Sequence, residues 1–328
     1  MTDRKKTVDV NGVINLIKSA QRILLCAHLQ PDGDAIGSLL AMQTLVKRLG
    51  KEATAICHDP VPDNLHVLEG FEEVRRPADV ADNNYDLFIS LDCSDLDRLG
   101  DAAPLFDRVP STLVIDHHAS NTCFGMYNYV DTQVAATGNL VFRLYEAAQV
   151  VFDPRVASWL YAALSSDTGN FSFGQMDAEF FQQMSTLMQA GLDIVHYARL
   201  LHLMKEKVFY KLLGRALSSL SFFCDGKASC MRLTQQDFLA AGTTSEHTEG
   251  LVNYALNIPG VQMCFIASET EDRQVKFSLR AIKPNDVSAI ASEFGGGGHV
   301  LAAGCNMNLP FEEAVARMQE RMQQALCP

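Results

Sequence analysis

Several things are scarce in this chain of 328 residues, and each scarcity excludes something. No run of about 18 uncharged apolar residues occurs, so no membrane-spanning helix is expected. The opening MTDRKKTVDV is charged and lacks an apolar signal core. Secretion is therefore not expected, and a cytoplasmic setting is. None of the nine cysteines, at 26, 57, 93, 123, 224, 230, 264, 305 and 327, stands in a Cys-x-x-Cys pair, and several lie inside apolar runs. This argues against zinc ribbons and disulfide frameworks and for buried thiols in a reducing compartment. Positive charge is scarce too: 27 Lys and Arg stand against 39 Asp and Glu, a net charge of −12. The imbalance is local, with 15 against 26 over residues 1–204 and 12 against 13 over 205–328. Long duplex nucleic acid is a poor partner for such a surface, because neutralising phosphates needs clustered cations. A small anion held by a metal and a few placed arginines is compatible with it.

What is present suits a soluble globular protein of about two domains: 48% of residues are hydrophobic and 20% charged. One stretch stands out, ILLCAHLQPDGDAIGS over Ile23–Ser38. Its apolar run Ile23–Ala27 is short and β-compatible. His28, Asp32 and Asp34 follow, Pro31 and Gly33 break the strand, and Ala35, Leu39, Leu40 and Met42 begin a helical pattern. A strand ending in a tight turn that feeds a helix sets polar groups at the carboxyl edge of a parallel sheet, where such folds bind ligands. Two carboxylates and an imidazole crowded there resist desolvation without a cation among them. A divalent metal site is therefore expected. The plainer alternative is an acidic helix start, with Asp34 capping Ala35 to Gly37. One Asp would suffice for that, and it would leave His28 unused.

Along the chain, helices are expected near 10–20, 35–49, 135–149 and 154–166, and strands near 23–27, 53–57, 85–91 and 113–115. This alternation predicts a parallel α/β sheet. From about 178 to 220 the pattern is helical. Strands near 219–224, 228–233, 261–268 and 274–280 follow, with helices near 249–256, 286–293 and 311–326. Asp225-Gly226-Lys227 and Glu271-Asp272-Arg273 read as hairpin joints. The resulting layout is a first domain over 1–190, a helical connector over 191–217 and a smaller α/β domain over 218–328.

The acidic theme recurs at the ends of three more apolar segments, read as strand ends on one sheet edge. Asp92 follows LFISL, Asp116-His117-His118 follow LVI, and Asp167 follows ASWLYAALSS. His28, Asp32, Asp34, Asp92, His117 and Asp167 together exceed what one ion needs. Oxygen-rich sites with imidazole suit Mn²⁺ or Mg²⁺, with Fe or Co²⁺ as further options. A shared carboxylate is a natural way to hold two ions about 3.5–4 Å apart for phosphoryl chemistry.

HLQPDGDAIGS, SLDCSD, VIDHHASN and SSDTGNF resemble the four motifs of the DHH phosphoesterase superfamily. GGGGHVLAAG over 295–304, with Arg280 in FSLRA, resembles the DHHA1 domain that follows in one branch. Size and layout resemble the nanoRNase/pAp phosphatase group, which degrades very short oligonucleotides and dephosphorylates 3′-phosphoadenosine 5′-phosphate (pAp). The resemblance implies an N-terminal parallel-sheet domain with helices on both faces and a C-terminal α/β DHHA1 domain. It implies two Mn²⁺, with Mg²⁺ or Co²⁺ as substitutes. One would sit on His28, Asp32 and Asp92, the other on Asp34, Asp92, His117 and Asp167. Asp92, Asp116 and His118 would be the catalytic group. Asp116 would orient a ligand imidazole, and His118 would face the substrate phosphate or leaving oxygen. The reaction implied is attack of water on phosphorus, releasing 5′-mononucleotides from RNA of 2–5 nucleotides, including pApA and pGpG, and AMP from pAp.

Gly296, Gly297 and Gly298 would let backbone N–H groups approach an anion, His299 adds a donor, and Arg280 suits a terminal phosphate. The bland alternative is that Gly295 ends a helix and a flexible loop follows. A second domain closing over the metal edge would hold a short substrate by its far end. Arg98 could reach the substrate or lie on a surface loop, and Asn121 reads as a turn or supporting residue. His58, His66, His196, His202 and His247 lack acidic partners at ligand spacing. Trp159, Phe171 and Phe173 read first as core. The competing functions are a cyclic-dinucleotide (c-di-AMP-type) phosphodiesterase, a single-strand exonuclease, an inorganic pyrophosphatase and a non-catalytic nucleotide-binding regulator. A homodimer is compatible with the helical connector and apolar strand edges.

Overall fold

The computed structural model describes residues 5–80, 84–248 and 250–326, and the chain divides into two compact units, 1–204 and 205–328. The first runs β1 (Lys6–Thr7), α1 (Val10–Ser19), β2 (Arg22–Cys26), α2 (Gly33–Arg48), β3 (Glu52–Ile56), β4 (Leu87–Leu91), α3 (Ala103–Phe106), β5 (Thr112–Asp116), β6 (Tyr127–Val130), α4 (Thr137–Ala148), α5 (Pro154–Asp167), α6 (Ala178–Gln189) and α7 (Ile194–Ala198). Its six strands pair in the order β1-β6-β5-β4-β2-β3, all parallel. Strand periodicity sends alternate side chains to opposite faces. Ile23 and Leu25 of β2 enter the larger core with α1, α2, α4 and α5. Leu24 and Cys26 enter a smaller one against Leu99, Ala102 and Phe106. Helical segments thus cover both faces.

Every residue of α2 from Gly33 to Val46 is buried. Two glycines on it face α5. A Cβ at Gly37 would lie 2.3 Å from the Trp159 carbonyl oxygen, and one at Gly33 would lie 2.8 Å from Ser166 Cβ. The helices therefore meet backbone to backbone, which places the start of α2 beside the end of α5.

In this first unit two strands escaped the sequence reading for physical reasons. β1 is only Lys6-Thr7, both exposed. In β6 the buried Asn128 interrupts the apolar pattern and closes a hydrogen-bonded loop with Gly125, donating at 2.8 Å and accepting at 3.1 Å.

The second unit comprises α8 (Lys207–Ser218), β7 (Ser221–Phe223), β8 (Ala228–Leu233), α9 (Gln235–Ala241), α10 (Val252–Leu256), β9 (Met263–Glu269), β10 (Val275–Ala281), α11 (Val287–Glu293), β11 (Gly297–His299), β12 (Ala302–Met307) and α12 (Phe311–Leu326). Its sheet order is β11-β12-β10-β9-β8-β7, antiparallel except for β8 with β9. α8, α9 and α10 pack on one face through Leu212, Phe238 and Val252. α11 and α12 pack on the other through Ile290 and Met318. Residues 191–217, read above as a connector, divide between the units: α7 and the π-helical turn Arg199–Leu203 belong to the first, α8 to the second. Among the described residues, no helix is long and apolar enough to cross a membrane.

Candidate metal centre

The strand order creates the site. The chain leaves β2 for β3 on one side and returns to β4 on the other, so the carboxyl ends of β2 and β4 flank a switch point, where open α/β sheets bind ligands. His28 follows β2 and Asp92 follows β4, with His28 Nε2 3.4 Å from Asp92 Oδ2. Asp92 is buried and left-handed at φ 56°, and its N–H donates to the Ile115 carbonyl at 3.0 Å. That conformation is uncommon outside glycine and turns the carboxylate back over the sheet edge.

Asp32, not Asp34, caps α2, accepting from the N–H groups of Asp34 at 3.0 Å and Ala35 at 3.1 Å. Asp34 is fully buried instead. Its Oδ2 accepts from the Thr137 N–H at 2.6 Å, and its Oδ1 accepts from the Gly138 N–H at 2.9 Å and Ser38 Oγ at 2.8 Å. Asp167 is the last residue of α5, so it reaches the sheet edge from a helix and not from a strand end as expected. His117 Nε2 lies 2.9 Å from Asp167 Oδ2, 3.7 Å from Asp92 Oδ1 and 3.9 Å from Asp34 Oδ2.

The donor atoms form three overlapping groups, each gathered within 4.8 Å: His28, Asp32 and Asp92; Asp34, His117 and Asp167; Asp92, His117 and His118. The electrostatics of these groups favour a cation among them. Neighbouring groups strip part of the hydration of the Asp32 carboxyl and, with the charges of Asp92 and Asp167, push it up to about 6, although half of the side chain stays exposed. The same causes, with Asp32 added, push Asp34 well above the carboxylate range. Burial acts the same way on Asp92, but His28, His117 and His118 outweigh it and hold that carboxyl below its usual range. Burial pulls His117 down, yet the Asp167 carboxylate and the charge of Asp92 raise it to about 9. The ion-pair partners of these carboxylates are imidazoles. His117 Nε2 is buried among three carboxylates, with only the Asp167 oxygen within hydrogen-bonding distance. So many carboxylates held out of water call for a positive partner, and an oxygen-rich set with imidazole fits a hard or borderline divalent cation.

Around this set lies a supporting layer. Asp116 is fully buried. Its Oδ1 accepts from the His117 N–H at 2.9 Å and lies 2.8 Å from His118 Nδ1, and its Oδ2 accepts from Asn121 Nδ2 at 2.5 Å. The imidazole it holds is thus that of His118. An Asp116 bond fixes the proton on Nδ1 of that ring. Arg98 is exposed, with one guanidinium nitrogen 2.9 Å from His28 Nδ1. Thiols line the strand ends beneath: Cys26, Cys57 and Cys93 lie near the carbonyls of Ala27, His28 and Asp95, at 3.2, 3.3 and 3.1 Å. Burial pushes Cys57 and Cys93 up to about 12 and Cys26 well above its ordinary value. Of the histidines set aside, His58 Nδ1 accepts from the Asp101 N–H at 3.1 Å and His202 Nε2 lies 2.8 Å from Ser165 Oγ.

In the second unit, the glycine run is not a plain loop. Gly297–His299 forms β11, paired with β12. Register aligns His299 with Ala302 and Ala302 with Arg280, so the three share one sheet face. Arg280 also pairs across from Cys264, and Gly296 packs tightly enough on β12 that a Cβ there would lie 2.1 Å from the Gly304 carbonyl oxygen.

Sequence reasoning missed Thr137, Gly138 and Ser38. Their signal was weak: AATGN is only a helix start, and a serine four residues after Asp34 is ordinary in any helix.

Comparison with known proteins places the fold and the sequence. The profile of the DHH family N-terminal domain matches residues 22–164, and that of the DHHA1 domain matches 232–326. The chain is 30% identical over 305 residues to the bifunctional oligoribonuclease and PAP phosphatase NrnA of Thermus thermophilus, covering 93% of this chain and 90% of that one. It is 26% identical to the protein of the same name from Bacillus subtilis, covering 90% and 92%. Its fold superposes with a TM-score of 0.90 on an exopolyphosphatase-related protein of Bacteroides fragilis, at 25% identity and covering 96% and 95%. The chain belongs to the DHH family, in the branch that carries a DHHA1 domain.

Proposed function

We propose that this protein is a two-cation phosphoesterase that hydrolyses RNA of 2–5 nucleotides to 5′-mononucleotides and converts pAp to AMP. The observation that carries the reading is the overlap of ligand groups at Asp92, buried at the switch point between β2 and β4. It is supported by likeness over nine-tenths of the chain to relatives named oligoribonuclease and PAP phosphatase. In this reading His28, Asp32 and Asp92 hold one divalent cation, and Asp34, Asp92, His117 and Asp167 the other. We take Mn²⁺ as the preferred ion, with Mg²⁺ or Co²⁺ as substitutes. Bound cations of this kind supply Lewis acidity, easing deprotonation of water and neutralising charge on a phosphoryl group.

The protein's own groups do the rest. Asp116 accepts the Nδ1 proton of His118, so Nε2 is the atom that meets the phosphate or gives a proton to the leaving ribose oxygen. Arg98 lies against His28 and in this reading would meet a second phosphate. Arg280, His299 and the Gly296–Gly298 backbone would recognise a substrate phosphate in the second unit. A cytoplasmic setting belongs to the proposal, since the eight described cysteines are all free thiols.

The test is one panel with purified protein and Mn²⁺: RNA of 2–5 nucleotides, a 20-mer, pAp, a cyclic dinucleotide and pyrophosphate. Turnover is expected to favour the short RNAs and pAp. A preference for pyrophosphate, the 20-mer or the cyclic dinucleotide overturns the reading. Asp92→Ala and His117→Ala are expected to reduce turnover to background while circular dichroism stays native.

A further inference from the structure

One residue outside the ligand set is hydrogen-bonded to two of its carboxylates. Thr137, the first residue of α4, is fully buried. Its N–H donates to Asp34 Oδ2 at 2.6 Å, and its hydroxyl donates to Asp92 Oδ1 at 3.0 Å. The next N–H, from Gly138, donates to Asp34 Oδ1. The two bonds of Thr137 differ in kind. The N–H bond belongs to the backbone and survives any substitution that keeps α4 in place. The hydroxyl bond is carried by the side chain alone, in a position water does not reach.

We propose that Thr137 is a positioning residue that fixes the rotamer of Asp92 and so sets which lone pairs of its carboxylate face the cations. This rests on the two-cation reading above. Asp92 Oδ2 already faces His28 Nε2 at 3.4 Å, and Oδ1 faces His117 Nε2 at 3.7 Å. A carboxylate serving both groups must keep both oxygens in place. A hydroxyl donating to Oδ1 from the helix side pins the rotation about the Cβ–Cγ bond. Because the same residue holds Asp34 through its backbone, the spacing between the two carboxylates is tied to the start of one helix. Partners of this kind, one bond removed from the ion, change metal affinity by about 10–100-fold when lost.

The test is a substitution series read by cation binding. Thr137→Val keeps the branched shape and removes the hydroxyl, Thr137→Ser keeps the hydroxyl and loses the methyl, and Thr137→Ala removes both. Mn²⁺ affinity of the cation-free proteins is measured by calorimetric titration well below their melting temperatures. Valine and alanine are expected to weaken binding about 10–100-fold, with serine within about threefold of the parent. A residue that only helps the core pack would show a different order, with serine damaged like alanine and affinity unchanged in all the variants. Valine and alanine both binding like the parent overturns the proposal, as does serine losing as much as alanine. Where valine does not fold, the alanine–serine pair decides. A parent protein that binds no divalent cation overturns the two-cation reading and this inference with it. A parent that binds while the alanine variant binds equally overturns this inference alone.

Discussion

At the residue scale the site is a balance among four carboxylates and three imidazoles, and its protonation predicts a pH dependence. In the cation-free protein His117 is raised from 6.5 to about 9, so it binds its proton more tightly folded than unfolded. The stability this brings is complete below the unfolded value and is lost as pH rises through the folded one. Asp32, raised from 3.8 to about 6, acts with the same sign at lower pH. Its side chain is 51% exposed, so water screens it and His117 dominates. The melting temperature of chelator-treated protein is therefore expected to fall between about pH 6.5 and 9. The rise produced by Mn²⁺ should grow over the same window, since binding requires deprotonated ligands. Differential scanning calorimetry across that range checks both, and a flat cation-free profile would contradict the charge balance. At this scale the sequence was most legible for the candidate ligands. His28, Asp32, Asp34, Asp92, His117 and Asp167 were all named from element ends and motif likeness, and the structure gathers them. The hydrogen-bond donors behind them were not legible, because a threonine opening a helix looks alike whether it caps water or a carboxylate.

At the element scale, α2 and α5 carry the precision of the site. Their contact at Gly33 and Gly37 leaves no room for a side chain. Asp34 stands on the first turn of α2 and Asp167 on the last of α5, so the distance between these carboxylates follows from where two backbones touch. Gly37→Ala must push a Cβ against the Trp159 carbonyl, and the helices must part. A loss of about 1–3 kcal/mol is expected in urea unfolding, as for overpacked cores, together with weaker Mn²⁺ binding. An alanine variant of native stability and affinity would mean that the helix contact does not set the site. Elements with strong periodicity were readable in advance, including α2, α5 and the central strands. β6 was not, because its buried Asn128 hides the strand pattern, and β11 and β12 were not, because GGH and AAGCNM lack bulk. Their strand character comes from pairing, β12 with β10 and β11 with β12, which local residue preference does not encode.

At the scale of the whole molecule, charge separates a short substrate from a long one. The first unit carries most of the net negative charge, and a protein that touches only one or two phosphates releases few counterions. The dependence of log KM on log salt for a dinucleotide is expected to be shallow, with a magnitude of about 0.7–1.4. Steady-state kinetics over a range of KCl checks this. A slope several-fold steeper would point to an extended strand path and would count against the short-substrate reading. The division into an acidic parallel-sheet unit and a near-neutral mixed-sheet unit was legible in composition, but the order of the second sheet was not.

The thiols under the strand ends bear on which metals the cell's mixture can deliver to this place. Cys26, Cys57 and Cys93 lie at the ends of β2, β3 and β4, a clustering that resembles an invitation to zinc or copper. A thiolate would be such an invitation; a protonated thiol facing a backbone carbonyl is not. By keeping these sulfurs neutral, burial makes a thiophilic ion displace a proton before it gains a soft donor here. Selection against such ions would thus begin at the strand ends, apart from the carboxylates.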